Sequence, residues 1–492
     1  MSKILEKIFE IAQATPHKIA LIGEKKIDEK LINEEISFHD LARQIKLCSA
    51  SLQKSQYQKI ALIADNSPSW IIFDLACLLA KITLIPLPHF FTKEQIESAL
   101  KLENIEAVFC DNLGFTKMLL PQNYEEKSTL ENVTNFHVFV ADIKNKSLAK
   151  DEIAKITFTS GSTGNPKGIA LSSNSIDAVV FSLLQKIGAK NLQKNLSILP
   201  LAILLENIAG VYLSLVSGTI AIIPNLALVG IKNSSGLDIE AFSEALARHN
   251  PSSFITPPEL AKLLILLVKN KKISAQNFKF IAVGGARIAK DLLDEARQLH
   301  IPLYQGYGLS ECCSVVALNV IGENKNGSVG KILPHLQVKI ADDGEILIKG
   351  QSLASGVAVD KEGYYASGDI GFFDEENFLY ISGRKKNIFI TSMMRNVNPE
   401  WVESELLKSY LIAQVAVFGE AMIENIAVIF PSNATVTKEI IEKEVERINE
   451  HLPDYARVKK VIMANEPFTS ANGLLTGNGR LKRTAIQQKY LS

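Results

Sequence analysis

Thr157-Phe-Thr-Ser-Gly-Ser-Thr-Gly-Asn-Pro-Lys-Gly168 is the stretch on which the reading of this chain turns. It follows the strand-like Ile153-Ala-Lys-Ile156 and gathers hydroxyls, three glycines and one lysine. Glycine lets a backbone turn sharply and bring its N–H groups close to an anion. Hydroxyls add neutral donors, and Lys167 adds a mobile point charge suited to a terminal phosphate. Such a loop is built to hold polyphosphate. A Walker A loop needs Gly-Lys-Ser/Thr, whereas here Pro166 precedes the lysine and Gly168 follows it. A flexible Gly/Ser linker would have no use for the order Ser-Gly-Ser-Thr-Gly-x-Pro-Lys-Gly.

Around this loop, short β-branched runs alternate with helical patterns. Residues 59–64, 82–87, 107–110, 197–200, 254–256 and 280–283 read as buried strands, and residues 92–102 and 240–248 as helices. That alternation predicts an α/β protein with parallel sheets covered by helices. From Gly330 the texture changes to short strands with turn signals, among them Asp342-Asp-Gly344 as a hairpin turn, which predicts a small β subdomain. Beyond the charged Arg384-Lys-Lys-Asn387, a helix at 399–407, a strand at 414–418 and a helix at 437–449 predict a small α+β unit.

The length of 492 residues exceeds what one core supports, so two or more units are expected. Lys+Arg and Asp+Glu number 53 each, so no global field favours nucleic acid or an anionic membrane. Cys48, Cys77, Cys110, Cys312 and Cys313 show no metal-ligand spacing and fit a reducing cytoplasm. Lys3, Glu6, Lys7 and Glu10 among apolar residues describe a short amphipathic helix, not a secretory signal. Residues 207–231 carry no charge and are long enough to span a bilayer, but Gly218 and Pro224 interrupt them. A helix and then a buried strand at 219–224 are expected there, with no transmembrane span and at most peripheral membrane contact.

Further segments follow in order: Asn66-Ser-Pro-Ser-Trp70, Gly284-Gly-Ala286, Tyr304-Gln-Gly-Tyr-Gly-Leu-Ser-Glu311, Tyr365-Ala-Ser-Gly-Asp369 and Gly383-Arg-Lys-Lys386. With the phosphate loop they resemble, in order and spacing, the adenylate-forming superfamily of acyl-CoA synthetases, peptide-synthetase adenylation domains and luciferases. The resemblance covers nearly the whole chain. It implies an N-terminal AMP-binding domain over 1–382, a hinge at 383–387 with Lys386 at the pivot, and a mobile C-terminal domain over 388–492. It also implies that Thr159, Ser160, Gly161, Ser162, Thr163, Gly164 and Lys167 hold the β- and γ-phosphates of ATP. Ser310 would touch the α-phosphate, and Glu311 would hold Mg²⁺. Tyr307, followed by Gly308, would offer a face to adenine, with Gly285 and Ala286 at the ring edge. Asp369 would bond the ribose hydroxyls, assisted by Arg384.

The implied reaction joins ATP to a carboxylic acid, releases pyrophosphate and passes the acyl group to a thiol. CoA is the default acceptor. An acyl carrier protein or partner enzyme is the alternative, and a degenerate member that only binds nucleotide or acyl-adenylate is the second. Leu199-Pro-Leu-Ala-Ile-Leu-Leu-Glu-Asn207 resembles a family segment with histidine where Ile203 stands, and no Phe-Asp pair for an α-ammonium is present. Both departures favour a fatty or otherwise apolar acid over an amino acid. Glu206 reads equally as a pocket or network residue and as a cap on solvent-facing helix surface. Met393 and Met394 replace glycines that let backbone pass the pantetheine arm of CoA, which narrows that path. In Thr476-Gly-Asn-Gly-Arg-Leu-Lys-Arg483 the family's catalytic lysine after Gly479 is Arg480, and Lys482 lies two residues on as a substitute cation.

Overall fold

The β-branched runs pair into two large sheets in a computed structural model that describes residues 1–491 apart from 29, 90, 134, 142–152, 161–165, 233–235, 287, 393–394 and 477–478. The seven-stranded sheet runs Tyr124–Lys127, His137–Ala141, Ala107–Cys110, Lys59–Ile63, Thr83–Pro86, Ile153–Ser160, Pro166–Ser172. Its three central pairings, from Ala107–Cys110 to Ile153–Ser160, are parallel, and both edges are antiparallel. The nine-stranded sheet has a parallel centre from Leu303–Tyr307 through Phe280–Val283, Ser253–Thr256, Lys194–Leu196 and Ile220–Pro224 to Ile19–Ile27. Its edges, Lys30–Ser37 on one side and Ala317–Leu318 with Lys331–Ile332 on the other, are again antiparallel. The expected parallel sheets are therefore mixed, because hairpins formed by sequence-adjacent strands close their edges.

One predicted strand is displaced. Residues 197–200 leave the sheet, and the strand is Lys194–Leu196. Ser197 N–H makes the last rung, to the Ile222 carbonyl at 2.9 Å. Asn66 then captures the chain, its Nδ2 donating to the Leu199 carbonyl at 2.9 Å and its Oδ1 accepting from Leu201 N–H at 2.8 Å. Pro200 between them has no N–H to give a ladder. The uncharged run folds as a π-helix, Glu206–Tyr212, a short helix, Leu213–Val216, and the strand Ile220–Pro224. Among the described residues no helix is long and apolar enough to cross a membrane.

Helices seal the sheets. Lys3–Ala14 buries Ile4, Leu5 and Ile8, and its start is held by Asp177, which accepts from Ser2 Oγ at 2.7 Å and Lys3 N–H at 2.8 Å. Pro68–Ala80 starts with Ser67 as its cap and proline at the position where a missing N–H costs nothing. Its Trp70 and Phe73 are fully buried, Phe73 lying 4.7 Å from the Phe109 ring. Each such side chain contributes about 1.5–3 kcal/mol through burial.

A buried polar cluster joins the seven-stranded sheet to the helices Pro68–Ala80 and Glu206–Tyr212. Lys155 on Ile153–Ser160 donates to Asp74 Oδ2 at 2.9 Å and to Asn207 Oδ1. Asp74 Oδ2 also accepts from Asn207 Nδ2 and Tyr212 OH, both at 2.8 Å. Every member is buried. Lys155 Nζ also lies 5.0 Å from the Tyr212 ring centroid, so its charge has partners on several sides.

Leu336–Ile340, Glu345–Gly350, Tyr365–Phe373 and Leu379–Arg384 form the antiparallel β subdomain, with Gly344 at φ +84° in the expected turn. Beyond it, Ile412–Phe418, Asn425–Pro431 and Val458–Met463 make a three-stranded sheet packed by Pro399–Leu406, Lys438–Asn449 and Arg483–Tyr490. Two apolar clusters lie wholly within residues 389–491, so this unit has cores of its own.

Candidate active site

The C-terminal ends of the nine-stranded sheet, the β subdomain and the last segment of the chain converge on one cleft of about 1580 Å³. Tyr307 ends the strand Leu303–Tyr307, Asp369 lies within Tyr365–Phe373, and Arg384 ends Leu379–Arg384 as the register partner of Asp369. Tyr307 OH donates to Asp369 Oδ2 at 2.6 Å, and Arg384 Nε pairs with Oδ1 at 2.8 Å. Burial raises the Asp369 pKa, while Arg384, Tyr307 and Arg480 oppose that rise. Burial also raises the Tyr307 hydroxyl, reinforced by the Asp369 charge, so it stays a donor. Tyrosine, aspartate and arginine thus form one preassembled unit.

Gly308 follows Tyr307 where no other residue fits, since a Cβ there would fall 1.5 Å from the Ser314 carbonyl oxygen. The tight passage carries the chain into Ser310–Cys312, placing Ser310 on the cleft wall. Glu311 is pinned through its backbone, its carbonyl accepting from Ala354 N–H at 2.8 Å. Gly284, Gly285 and Ala286 leave the strand Phe280–Val283 and line the same cleft, Gly285 at φ +86° in the region glycine tolerates best.

Arg480 enters from the C-terminal unit. Protein surrounds it closely enough for burial to lower its pKa, with Arg384 adding to that, while Asp369, Glu311 and Tyr307 pull the other way. Its own surface stays open to the cleft, which reconciles the crowding with its exposure. It makes no ion pair among the described residues. Lys482 also borders the cleft, but its backbone starts the helix Arg483–Tyr490, and Arg483 turns inward to Glu403 at 2.7 Å.

Lys167 is exposed on Pro166–Ser172, opposite Thr159, and Ser160 opposes Pro166 in the antiparallel pair. Gly161, Ser162, Thr163 and Gly164 lie outside the described residues, as do Met393 and Met394. Neither Lys167 nor Glu311 lines the cleft, although Glu311 is in electrostatic range of Arg480.

Part of the cleft wall is apolar, with Leu183, Ile187, Ile203, Leu205, Ala209 and Phe254 among its residues. Glu206 is fully buried, so it does not cap solvent-facing helix. Burial pushes its pKa up to about 8, and the nearby Ser197 hydroxyl and Leu199 N–H offset part of the rise without closing a hydrogen bond.

Lys262 had no sequence signal beyond being a lone cation in the apolar run Leu260-Ala-Lys-Leu-Leu-Ile-Leu-Leu267. Its Nζ donates to the Leu407 and Ser409 carbonyls at 2.7 and 2.6 Å, capping a helix end of the C-terminal unit from the N-terminal one. Lys408–Asp291, at 2.6 Å, adds to that contact.

Residues 8–357 match the AMP-binding enzyme family, and residues 386–492 match the AMP-binding enzyme C-terminal domain. The 2-succinylbenzoate–CoA ligase of Bacillus velezensis is 26% identical over 439 residues, covering 84% of each chain. Long-chain-fatty-acid–CoA ligase 1 of Cavia porcellus is 24% identical over 553 residues, covering 91% of this chain and 79% of that one. The fold matches o-succinylbenzoate CoA synthetase from Bacillus subtilis in complex with its acyl-adenylate, with a TM-score of 0.76 at 20% identity, over 98% of this chain and 97% of that one. The same protein has also been solved with ATP and a magnesium ion. The chain belongs to the AMP-binding enzyme family.

Proposed function

We propose that this protein is an AMP-forming acid–thiol ligase that activates an apolar carboxylic acid, a fatty acid in the simplest case, and transfers it to CoA. One observation carries the reading: a single cleft that gathers Tyr307, Asp369, Arg384 and Arg480 together with an apolar wall that includes Leu183, Ile187, Ile203 and Leu205. The polar group suits a nucleotide and a reacting carboxylate, and the apolar wall suits the body of an acid.

In the first step a carboxylate oxygen attacks the α-phosphorus of ATP and the bond to pyrophosphate breaks. Two anions must approach, so the barrier is electrostatic and fixed positive charge lowers it. Arg480 supplies charge between them, Ser310 a hydroxyl toward the α-phosphate, and Lys167 charge at the far phosphates. Asp369, held by Arg384 and Tyr307, retains lone pairs for ribose hydroxyls. No group of three metal-ligating side chains exists among the described residues. Glu311 would hold a Mg²⁺ that arrives on the nucleotide, as a hard carboxylate oxygen suits that cation. When bound, that ion neutralises triphosphate charge. In the second step the thiol attacks the acyl carbonyl and AMP leaves. The division 1–382, 383–387 and 388–492 then describes a body, a hinge and a swinging unit whose rotation removes Arg480 from the site.

A panel of acids assayed for pyrophosphate release, with the adenylate trapped by hydroxylamine, tests the reading. Release should require both ATP–Mg²⁺ and an apolar acid. Better turnover of amino acids than of fatty or aryl acids would overturn the pocket assignment. ATP binding without any turnover would favour the nucleotide-binding alternative.

A further inference from the structure

The C-terminal unit meets the N-terminal one at a short segment, Leu407-Lys408-Ser409-Tyr410, which ends the helix Pro399–Leu406. Lys262, on the helix Pro258–Lys269, donates to the Leu407 and Ser409 carbonyls, and its Nζ lies 4.8 Å from the Tyr410 ring centroid. The helix Lys290–Gln298 adds Asp291, paired with Lys408, and Glu295, which accepts from Tyr410 OH at 3.5 Å. These contacts are unequal. The Asp291 side chain is 69% exposed, so water and salt weaken its pair with Lys408. Lys262 is crowded enough for burial to lower its pKa to about 8, and carbonyls at a helix C-terminus stand in for water around its charge.

A lysine paired with a carboxylate side chain can follow that side chain through a range of positions. One held by two backbone carbonyls is satisfied in a single orientation, because both acceptors are fixed in the chain. That orientation reaches the cleft through rigid parts. Glu403, buried on the helix Pro399–Leu406, accepts from Val417 N–H at 2.7 Å and pairs with Arg483 at 2.7 Å. Arg483 also donates to the Val417 carbonyl at 3.1 Å. Arg480 lies three residues before Arg483, and its N–H and carbonyl are both tied to Thr476, at 3.0 and 2.7 Å. Lys262, Leu407, Glu403, Arg483 and Arg480 all border the same cleft.

We propose that Lys262 is a positioning residue for the first half-reaction: it seats the C-terminal unit so that Arg480 stays in the cleft, and its release from the two carbonyls frees that unit for transfer to the thiol. The inference rests on the acid-activating function and the role of Arg480 proposed above, and adds a residue that acts through Arg480 rather than on the reactants. Tyr307, Asp369 and Arg384 precede the C-terminal unit in the chain, so the seat governs the rate of adenylation and leaves nucleotide affinity alone.

The test follows the two half-reactions of the full-length enzyme in single turnover. Lys262→Met keeps the unbranched stem and loses the donors. It should slow adenylate formation by about 10-fold with KM for ATP unchanged, and leave thioester formation from synthetic acyl-adenylate at its normal rate. Lys262→Arg, still able to donate to two carbonyls, should restore most of the lost rate. In an Arg480→Ala background Lys262→Met should cost about 2-fold at most, because the cation it positions is gone. An equal loss in both backgrounds, or wild-type adenylation by Lys262→Met, overturns the proposal. Normal adenylation by Arg480→Ala alone overturns it as well, through the role of that arginine. If no acid releases pyrophosphate, the activation reading fails, and trypsin cleavage after Arg384, Lys385 and Lys386 still decides the seat. Lys262→Met should be cut there several-fold faster than the wild type or Lys262→Arg, and equal rates would refute the seat.

Discussion

Arg480→Ala should slow adenylate formation by about 10²-fold while sparing transfer from a preformed acyl-adenylate. The expectation rests on charge. Arg384 already spends its guanidinium on Asp369 at 2.8 Å, whereas Arg480 faces Asp369 and Glu311 across the cleft without an ion pair among the described residues. It is therefore available to two incoming anions. A unit charge about 5 Å from another contributes about 3 kcal/mol at an effective dielectric of about 20, which is about 10²-fold in rate. Repulsion from Arg384, which helps lower the Arg480 pKa, is relieved when anions bind and adds to the effect. The assay is single turnover in two halves: pyrophosphate release from ATP and acid, then thioester formation from synthetic acyl-adenylate and CoA. Arg480→Lys should recover most of the first half, because it keeps the charge and loses only the fork. Lys482→Ala should have a mild effect. An Arg480→Ala enzyme as fast in adenylation as the wild type, or a more severe Lys482→Ala, would refute the assignment.

Glu311→Gln should depress pyrophosphate release and shift the Mg²⁺ response to higher concentration, since an amide is a poorer ligand for a hard cation; an unchanged Mg²⁺ titration would remove Glu311 from the metal. Lys155→Met leaves Asp74 charged in the core and should cost about 3–5 kcal/mol, whereas Lys155→Met with Asp74→Leu should recover much of it; a double variant no more stable than the single one, by denaturant unfolding, would contradict this. Glu206 binds its proton up to about pH 8 when folded against an ordinary 4.5, so between those values the folded state holds a proton the unfolded state has lost and stability falls as pH rises. Glu206→Gln should flatten that part of the Tm–pH curve, and an unaltered slope would show that the carboxyl is not perturbed.

Most of the scaffold was legible because its signals are local. Buried strands of four or five mostly apolar residues, capped helices and the Asp-Asp-Gly344 turn carry their own chemistry. The same holds for Tyr307, Asp369 and Arg384, which lie in recognisable segments and meet at 2.6 and 2.8 Å. What stayed hidden depends on long-range packing. Lys194-Asn-Leu196 looks too polar for a central strand, and its burial follows from neighbours supplied by residues 220–224 and 253–256. The hairpin Ile19–Ile27 and Lys30–Ser37 is largely polar in its outer half, and it joins the sheet by pairing with a strand about two hundred residues away. The winding of Glu206–Tyr212 as a π-helix left no mark in composition, and neither did the role of Lys262, whose partners are backbone carbonyls.

Glu206 and Asn207 are consecutive on that π-helix yet serve opposite sheets. One carboxyl packs beside Gly210 and Asn195 of the nine-stranded sheet, while the next amide grips Lys155, on the strand Ile153–Ser160 of the seven-stranded one. One peptide unit therefore ties the packing of the two sheets together, so a change at Asn195 and a change at Lys155 should not be additive in stability.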